Sequence, residues 1–297
     1  MKKKIISVIA GVTGLAMAYF LVSGISHIIY NRPTDNAAAK TESTTESTEQ
    51  GTEEAKAAMT ENEINEMLSG MKATETAETE TAETETAVEE RSEVIPVKFE
   101  ELQAVNPDVY AWITVPGTDI DYPILQHASD NSYYLMHNID GSYGYPGCIY
   151  TENLNSKDFT DNNTVIYGHN MKNGSMFAQL HKYEDSDFFD ANREVLIYLP
   201  DEVLHYTIFA AHIYDDRHLL YSFDFTDPEV YQKYLDSIFS IRDMSANIDK
   251  DITVTTDDQI ITLVTCIGSQ PNNRLLVQAV LTDREPGVAA QSAAVTE

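Results

Sequence analysis

The spacing of hydrophobic positions divides the chain into stretches of different character. After Met1 and three lysines, residues 5–30 are apolar almost throughout, broken only by Gly, Ser, Thr and a late His27. Apolar positions then become sparse from Asn31 to Val94. Within that stretch Met59, Ile64, Met67, Leu68 and Met71 fall near helical spacing, which predicts a short amphipathic helix between Glu53 and Lys72, fluctuating and without a function of its own. Lys98–Val105 (KFEELQAV) has a helical period and stops at Asn106-Pro107, predicting a short helix packed on the outside of the globular part.

Beyond it the pattern changes to short β-branched and aromatic runs separated by Gly, Pro, Asn and Asp. Eight strands are predicted: Ala111–Val115, Ile120–Leu125, Cys148–Tyr150, Thr164–Tyr167, Glu194–Leu199, Leu204–Tyr214, Gln259–Cys266 and Arg274–Leu281. Few crossover helices lie between them, so the expected fold is mainly β, an eight-stranded closed or nearly closed barrel with an N-terminal helix. Helices are expected around Asn131–His137, around Ser175–Tyr183 and from Asp227 to Ile241. The last is long and inserted between late strands: Thr226 or Asp227 caps it, Pro228 suits its first turn, and Val230, Tyr231, Tyr234, Leu235, Ile238 and Phe239 form one apolar face. Such an insertion either walls a groove or only covers the barrel.

Composition sharpens the domain picture. The formal net charge of −29 comes largely from the Glu-rich stretch Thr41–Glu93. That stretch has too little apolar area to offset the entropy of ordering, so residues 31–94 are expected to be a disordered, self-repelling acidic tether. Outside Lys2–Lys4 no cluster of Lys or Arg appears, which argues against nucleic acid as a partner. A hydrocarbon core is crossed by roughly 20 helical residues, so residues 5–30 are expected to anchor the chain in the membrane. Cleavage of a signal peptide near Ala37–Ala39 is the alternative. On the positive-inside rule residues 1–4 form a cytoplasmic tail, giving a single-pass protein of the cell membrane whose globular part, residues 95–283, is extracellular. Residues 284–297 are expected to be a disordered tail.

Two cysteines, Cys148 and Cys266, show neither CxxC nor His-spaced ligand patterns, so neither a metal site nor a cofactor is expected. An exported chain could join them in a disulfide. The run Ile260-Ile-Thr-Leu-Val-Thr-Cys266 reads as a buried strand ending on a thiol, with Arg274 opening the next strand. A guanidinium there favours a thiolate and a developing oxyanion alike, whereas the bland reading is a buried cysteine and an arginine in a surface ion pair. What favours chemistry is Asn163-Thr-Val-Ile-Tyr-Gly-His-Asn-Met-Lys-Asn-Gly-Ser-Met-Phe177, where a strand ends at Gly168 and presents His169. Such an imidazole activates a thiol and then protonates a leaving amine. His127, His137, His181, His205, His212 and His218 lack that setting and read as surface or satisfied core residues.

IYGHNMKNGSMF, and TLVTC with an arginine eight positions after its cysteine, resemble the class B sortases of Gram-positive bacteria. ELQAVNPDVYAWITVPGTDIDYPILQ and DNSYYLMHNIDG also look like that family, so the resemblance covers about Ile95–Thr282. It implies a sortase-like β-barrel, a cysteine transpeptidase that cleaves an Asn-Pro-x-Thr-like C-terminal sorting signal of secreted proteins and transfers them to an amine of the cell wall or a pilin. Cys266, His169 and Arg274 fall on the family's catalytic positions, and Asn131, Leu135 and Thr265 on substrate-groove positions. Two departures stand out: the sequence after the cysteine continues Ile267-Gly268-Ser269 where some members have an acid, and Val264 replaces a small polar residue. Cys148 reads as a buried structural thiol, with a regulatory disulfide to Cys266 as the minor reading. The rival functions are an extracytoplasmic cysteine peptidase acting by hydrolysis and a catalytically silent surface module.

Overall fold

The computed structural model describes residues 59–72 and 93–289. In chain order these form helix α1 (Glu61–Gly70), strand β1 (Glu93–Ile95), helix α2 (Phe99–Val105), β2 (Val109–Val115) and β3 (Ile120–Leu125), then β4 (Ile149–Thr151) and β5 (Asn163–Tyr167). After α3 (Ser186–Ala191) come β6 (Glu194–Tyr198), β7 (Glu202–Asp215), α4 (Leu219–Ser222), α5 (Pro228–Phe239), β8 (Asn247–Ile248), β9 (Ile260–Ile267) and β10 (Gln270–Ala289). The strands follow the order β1-β10-β9-β5-β4-β3-β2-β6-β7-β8, and an additional β10–β7 pairing closes the eight between β10 and β7 into a barrel. These eight are the strands that the pattern predicts. Strands β1 and β8 are short additions on its edges, too brief to leave a periodic signal.

Strand β9 explains why the sequence before Cys266 is apolar without alternation. Ile261 and Leu263 pack in the barrel interior with Leu275 and Val277, while Ile260 and Val264 pack in a second cluster with Tyr231, Tyr234, Leu235 and Ile238 of α5. A strand covered on both faces needs no polar side. Helix α5 forms as its sequence directs: Asp227 accepts from the backbone N–H groups of Glu229 and Val230, and Pro228 occupies the first turn. It covers the outer face of the strand that carries Cys266.

The other expected helices are shorter and tighter. Around Asn131–His137 there is only a 3-10 turn, Tyr133–Leu135, entered through Asp130, whose carboxylate accepts from the Ser132 backbone. The second is a 3-10 helix over Phe177–Glu184, preceded by Met176 with φ 56°, outside the helical region. The final strand continues well past Leu281 to Ala289, so residues 284–289 are strand rather than disordered tail; β10 pairs with β7 from Asn273 to Pro286 and its end lies parallel to β1.

Helix α1, expected to fluctuate, is docked. Thr60 and Glu63 make a capping box, and Ile64 and Leu68 are buried in a cluster with Leu102, Trp112 and Cys148. Beyond it the Lys72 ammonium lies 2.8 Å from Asp121, whose Oδ1 also accepts from Trp112 Nε1 at 2.7 Å and Thr114 Oγ1 at 2.7 Å. Trp112 thus joins the helix, the barrel wall and this polar hub. Trp112→Ala is expected to destabilise the fold by about 3–5 kcal/mol, read as a lowered denaturant midpoint, because it opens a cavity and removes the indole donor.

The single-pass expectation is corrected: among the described residues no helix is long and apolar enough to cross a membrane, and the expected span, residues 5–30, lies outside them.

Candidate active site

Strand register brings the expected residues together. Strand β5 runs parallel to β9 with Tyr167 opposite Val264, and the Gly168 N–H continues the ladder to the Val264 carbonyl. His169 therefore leaves β5 beside the end of β9. On the other flank β10 runs antiparallel to β9 and sets Arg274 opposite Cys266. Adjacent strands lie about 4.8 Å apart and opposed residues share a face, so three neighbouring strand ends carry His169, Cys266 and Arg274 in one row. A tight turn at Gly268-Ser269 joins β9 to β10, and the register shifts between Gln270 and Arg274.

Cys266 is exposed and Cys148 is buried, and both are free thiols. Burial pushes the Cys148 thiol well above its usual range, and its Sγ–H points to the His137 carbonyl at 3.4 Å. Thiolate character and access together set thiol reactivity. A thiol reagent applied to the folded protein is expected to modify Cys266 and spare Cys148 until denaturant is added; peptide mapping by mass spectrometry checks this.

His169 is half-buried, with Nε2 2.7 Å from the Leu135 carbonyl and its ring 5.2 Å from that of Tyr145. A carbonyl only accepts, so Nε2 carries a proton and Nδ1 is the nitrogen that exchanges one. Gly168 is required just before it, since a Cβ there would collide with Ile149 and Phe177. Arg274 is half-buried and donates from one guanidinium nitrogen to the carbonyls of Pro271 and Asn273, each at 2.9 Å. Those bonds tie the cation to the loop that comes after the cysteine.

The three expected groove residues are placed differently from one another. Leu135 is 40% exposed and supplies the carbonyl that holds His169. Asn131 uses its side-chain oxygen to accept from the Asn153 backbone, at the mouth of the loop after β4. Thr265 is only 1% exposed and its hydroxyl donates to the Gly168 carbonyl at 2.9 Å, so its side chain staples β9 to β5 on the side away from Cys266. Among the described residues no group of His, Cys, Asp or Glu is arranged to hold a metal.

Two neighbours are missing from the sequence reading. Asn170 Nδ2 and His181 Nε2 both reach the Cys266 carbonyl, at 2.9 and 3.1 Å. Asn170 comes directly after His169, but nothing local signals that His181 meets a strand so distant in sequence. His212, by contrast, is a core residue: burial lowers its pKa, and it bonds to Gln278 at 3.0 Å.

A family model described as the sortase domain matches residues 113–282, more than half of the chain and the whole row of three. The chain belongs to the sortase family. It is 35% identical over 191 residues to "Sortase B" of Listeria monocytogenes, covering 63% of this chain and 75% of that protein. The crystal structure of Clostridium perfringens sortase B is similar at 33% identity and a TM-score of 0.56, covering 62% of this chain and all of that one. A Staphylococcus aureus sortase B–substrate complex is similar at 27% identity and a TM-score of 0.56, covering 64% of this chain and 87% of that one. This sortase is of class B, and the expected barrel and family both hold. It is a cysteine transpeptidase, an enzyme that moves proteins bearing a sorting signal onto an amine acceptor.

Proposed function

We propose that this sortase cleaves an Asn-Pro-x-Thr-like signal near the C-terminus of exported proteins and transfers them to an amine of the cell wall or of a pilin, residues 95–283 being its catalytic domain. The observation that carries the site assignment is the row of His169, Cys266 and Arg274 across three neighbouring strand ends, with the thiol exposed. In this reading the Cys266 thiolate attacks the threonine carbonyl. Arg274 and backbone N–H groups hold the oxyanion. As the C–N bond breaks, protonated His169 gives the Nδ1 proton to the departing amine, leaving a thioester on Cys266 and a neutral imidazole. The acceptor amine then attacks the thioester and loses its proton to His169, so the new amide leaves and the starting charge pair returns. Exposed Leu135 and the half-buried Asn131, which lie on the segment holding His169, border the groove for the signal.

The test is a library of fluorogenic Asn-Pro-x-Thr-x peptides, incubated with the full chain with and without amine acceptors. The expected result is cleavage of a subset and an amide product when amine is present. Cleavage giving only the free acid at every amine concentration would instead make the protein a hydrolase.

A further inference from the structure

The parallel ladder between β5 and β9 lacks its next β5-donated bond in backbone form. The Gly168 N–H meets the Val264 carbonyl, and in a parallel pair the next bond donated from the β5 side would run from the residue 170 N–H to the Cys266 carbonyl. The chain instead turns away after His169, with Phe177 N–H bonding back to the His169 carbonyl and Asn170 bridged to Met176. The vacated place at Cys266 is taken by side chains. Asn170 Nδ2 donates to the carbonyl at 2.9 Å and lies 2.9 Å from His181 Nε2, which is itself 3.1 Å from the same oxygen. Behind it His181 Nδ1 lies 3.0 Å from the Glu184 carboxylate.

The hydrogen accounting is consistent. With Nδ1–H donated to Glu184, neutral His181 accepts one Asn170 N–H at Nε2 and the other Asn170 N–H goes to Cys266. When His181 also carries a proton on Nε2, it donates to that carbonyl directly. Either way the carbonyl of the nucleophile keeps a donor, although the backbone has left the ladder.

We propose that Asn170 and His181, steadied by Glu184, are positioning residues that fix the Cys266 backbone, and with it Sγ, against His169 and Arg274. This rests on Cys266 being the nucleophile. The arrangement lets β5 end early enough to free His169 for the site while β9 stays anchored at its tip. A displacement of about 1 Å at a reacting atom costs on the order of 100-fold in rate, so loosening this anchor lowers turnover more than it lowers stability.

The test compares Asn170→Ala, His181→Leu and His181→Gln with the parent full chain, using the best peptide and amine. For Asn170→Ala and His181→Leu, kcat is expected to fall about tenfold with KM changed less than about twofold, because the anchor touches no substrate. His181→Gln restores most of kcat, since its amide reaches the same carbonyl and accepts from Asn170. Thermal midpoints stay near the parent's. A substrate-free readout is the rate at which iodoacetamide modifies Cys266 at neutral pH, expected to fall about threefold in Asn170→Ala. Unchanged kcat and alkylation in Asn170→Ala, or a glutamine no better than leucine at position 181, overturns the proposal. If Cys266→Ala keeps its turnover, both this inference and the nucleophile assignment fall; if it is inactive while Asn170→Ala is normal, only this one does.

Discussion

Cys266→Ala is expected to lose at least about 10⁴-fold in transpeptidation, to a level where no amide product is measured, while its fold and its capacity to bind the sorting peptide persist. The size of the loss comes from the chemistry. Without the sulfur there is no thioester, and removing a nucleophile from a group of residues that act together costs nearly as much as removing the group. The fold survives because Cys266 is exposed at a strand end, so truncation leaves no cavity. Cys148→Ala is the contrasting change: it removes a buried thiol from the cluster beneath α1, and its expected effect is a modest loss of stability with turnover retained. Peptide turnover and thermal unfolding of the two variants separate these outcomes.

Arg274→Lys is expected to lower kcat by about 100- to 1,000-fold although the charge is kept. The guanidinium donates to the Pro271 and Asn273 carbonyls, and its remaining face is rigidly oriented by those bonds. An ammonium on a flexible stem is a point charge that cannot hold the loop and present a fixed donor to an oxyanion at once. Because the oxyanion forms only after the thiolate attacks and is absent from the bound substrate, KM should change little, and Arg274→Ala should be no better than Arg274→Lys. Steady-state kinetics on the two variants checks this; lysine supporting near-normal kcat would leave Arg274 with no role at the oxyanion.

What the sequence made legible is what short-range physics decides. The run Ile260–Cys266 announced a strand covered on both faces, and Asp227, Pro228 and the Tyr231/Tyr234/Leu235/Ile238 face announced α5 with its cap. The motif ending Gly168-His169 and the interval from Cys266 to Arg274 placed the candidate site because a strand ladder converts such intervals into adjacency. What was hidden depends on partners far along the chain. The α1 pattern was visible, but its docking needs Trp112 and Asp121 to receive Leu68 and Lys72. The 3-10 helix at Phe177 follows a positive φ at Met176, a residue that gives no hint of it. His181 looked like an ordinary surface histidine because its target is a carbonyl 85 positions away.

Whether Cys266 is the nucleophile is read most directly from the intact mass of the protein after brief mixing with a cleaved Asn-Pro-x-Thr-x peptide, with mapping of any adduct. The expected finding is an acyl adduct ending in threonine on Cys266, lost on addition of an amine as the matching amide appears, and absent from Cys266→Ala. An adduct on another residue, or amide formation by Cys266→Ala, would show that the chemistry runs through a different group.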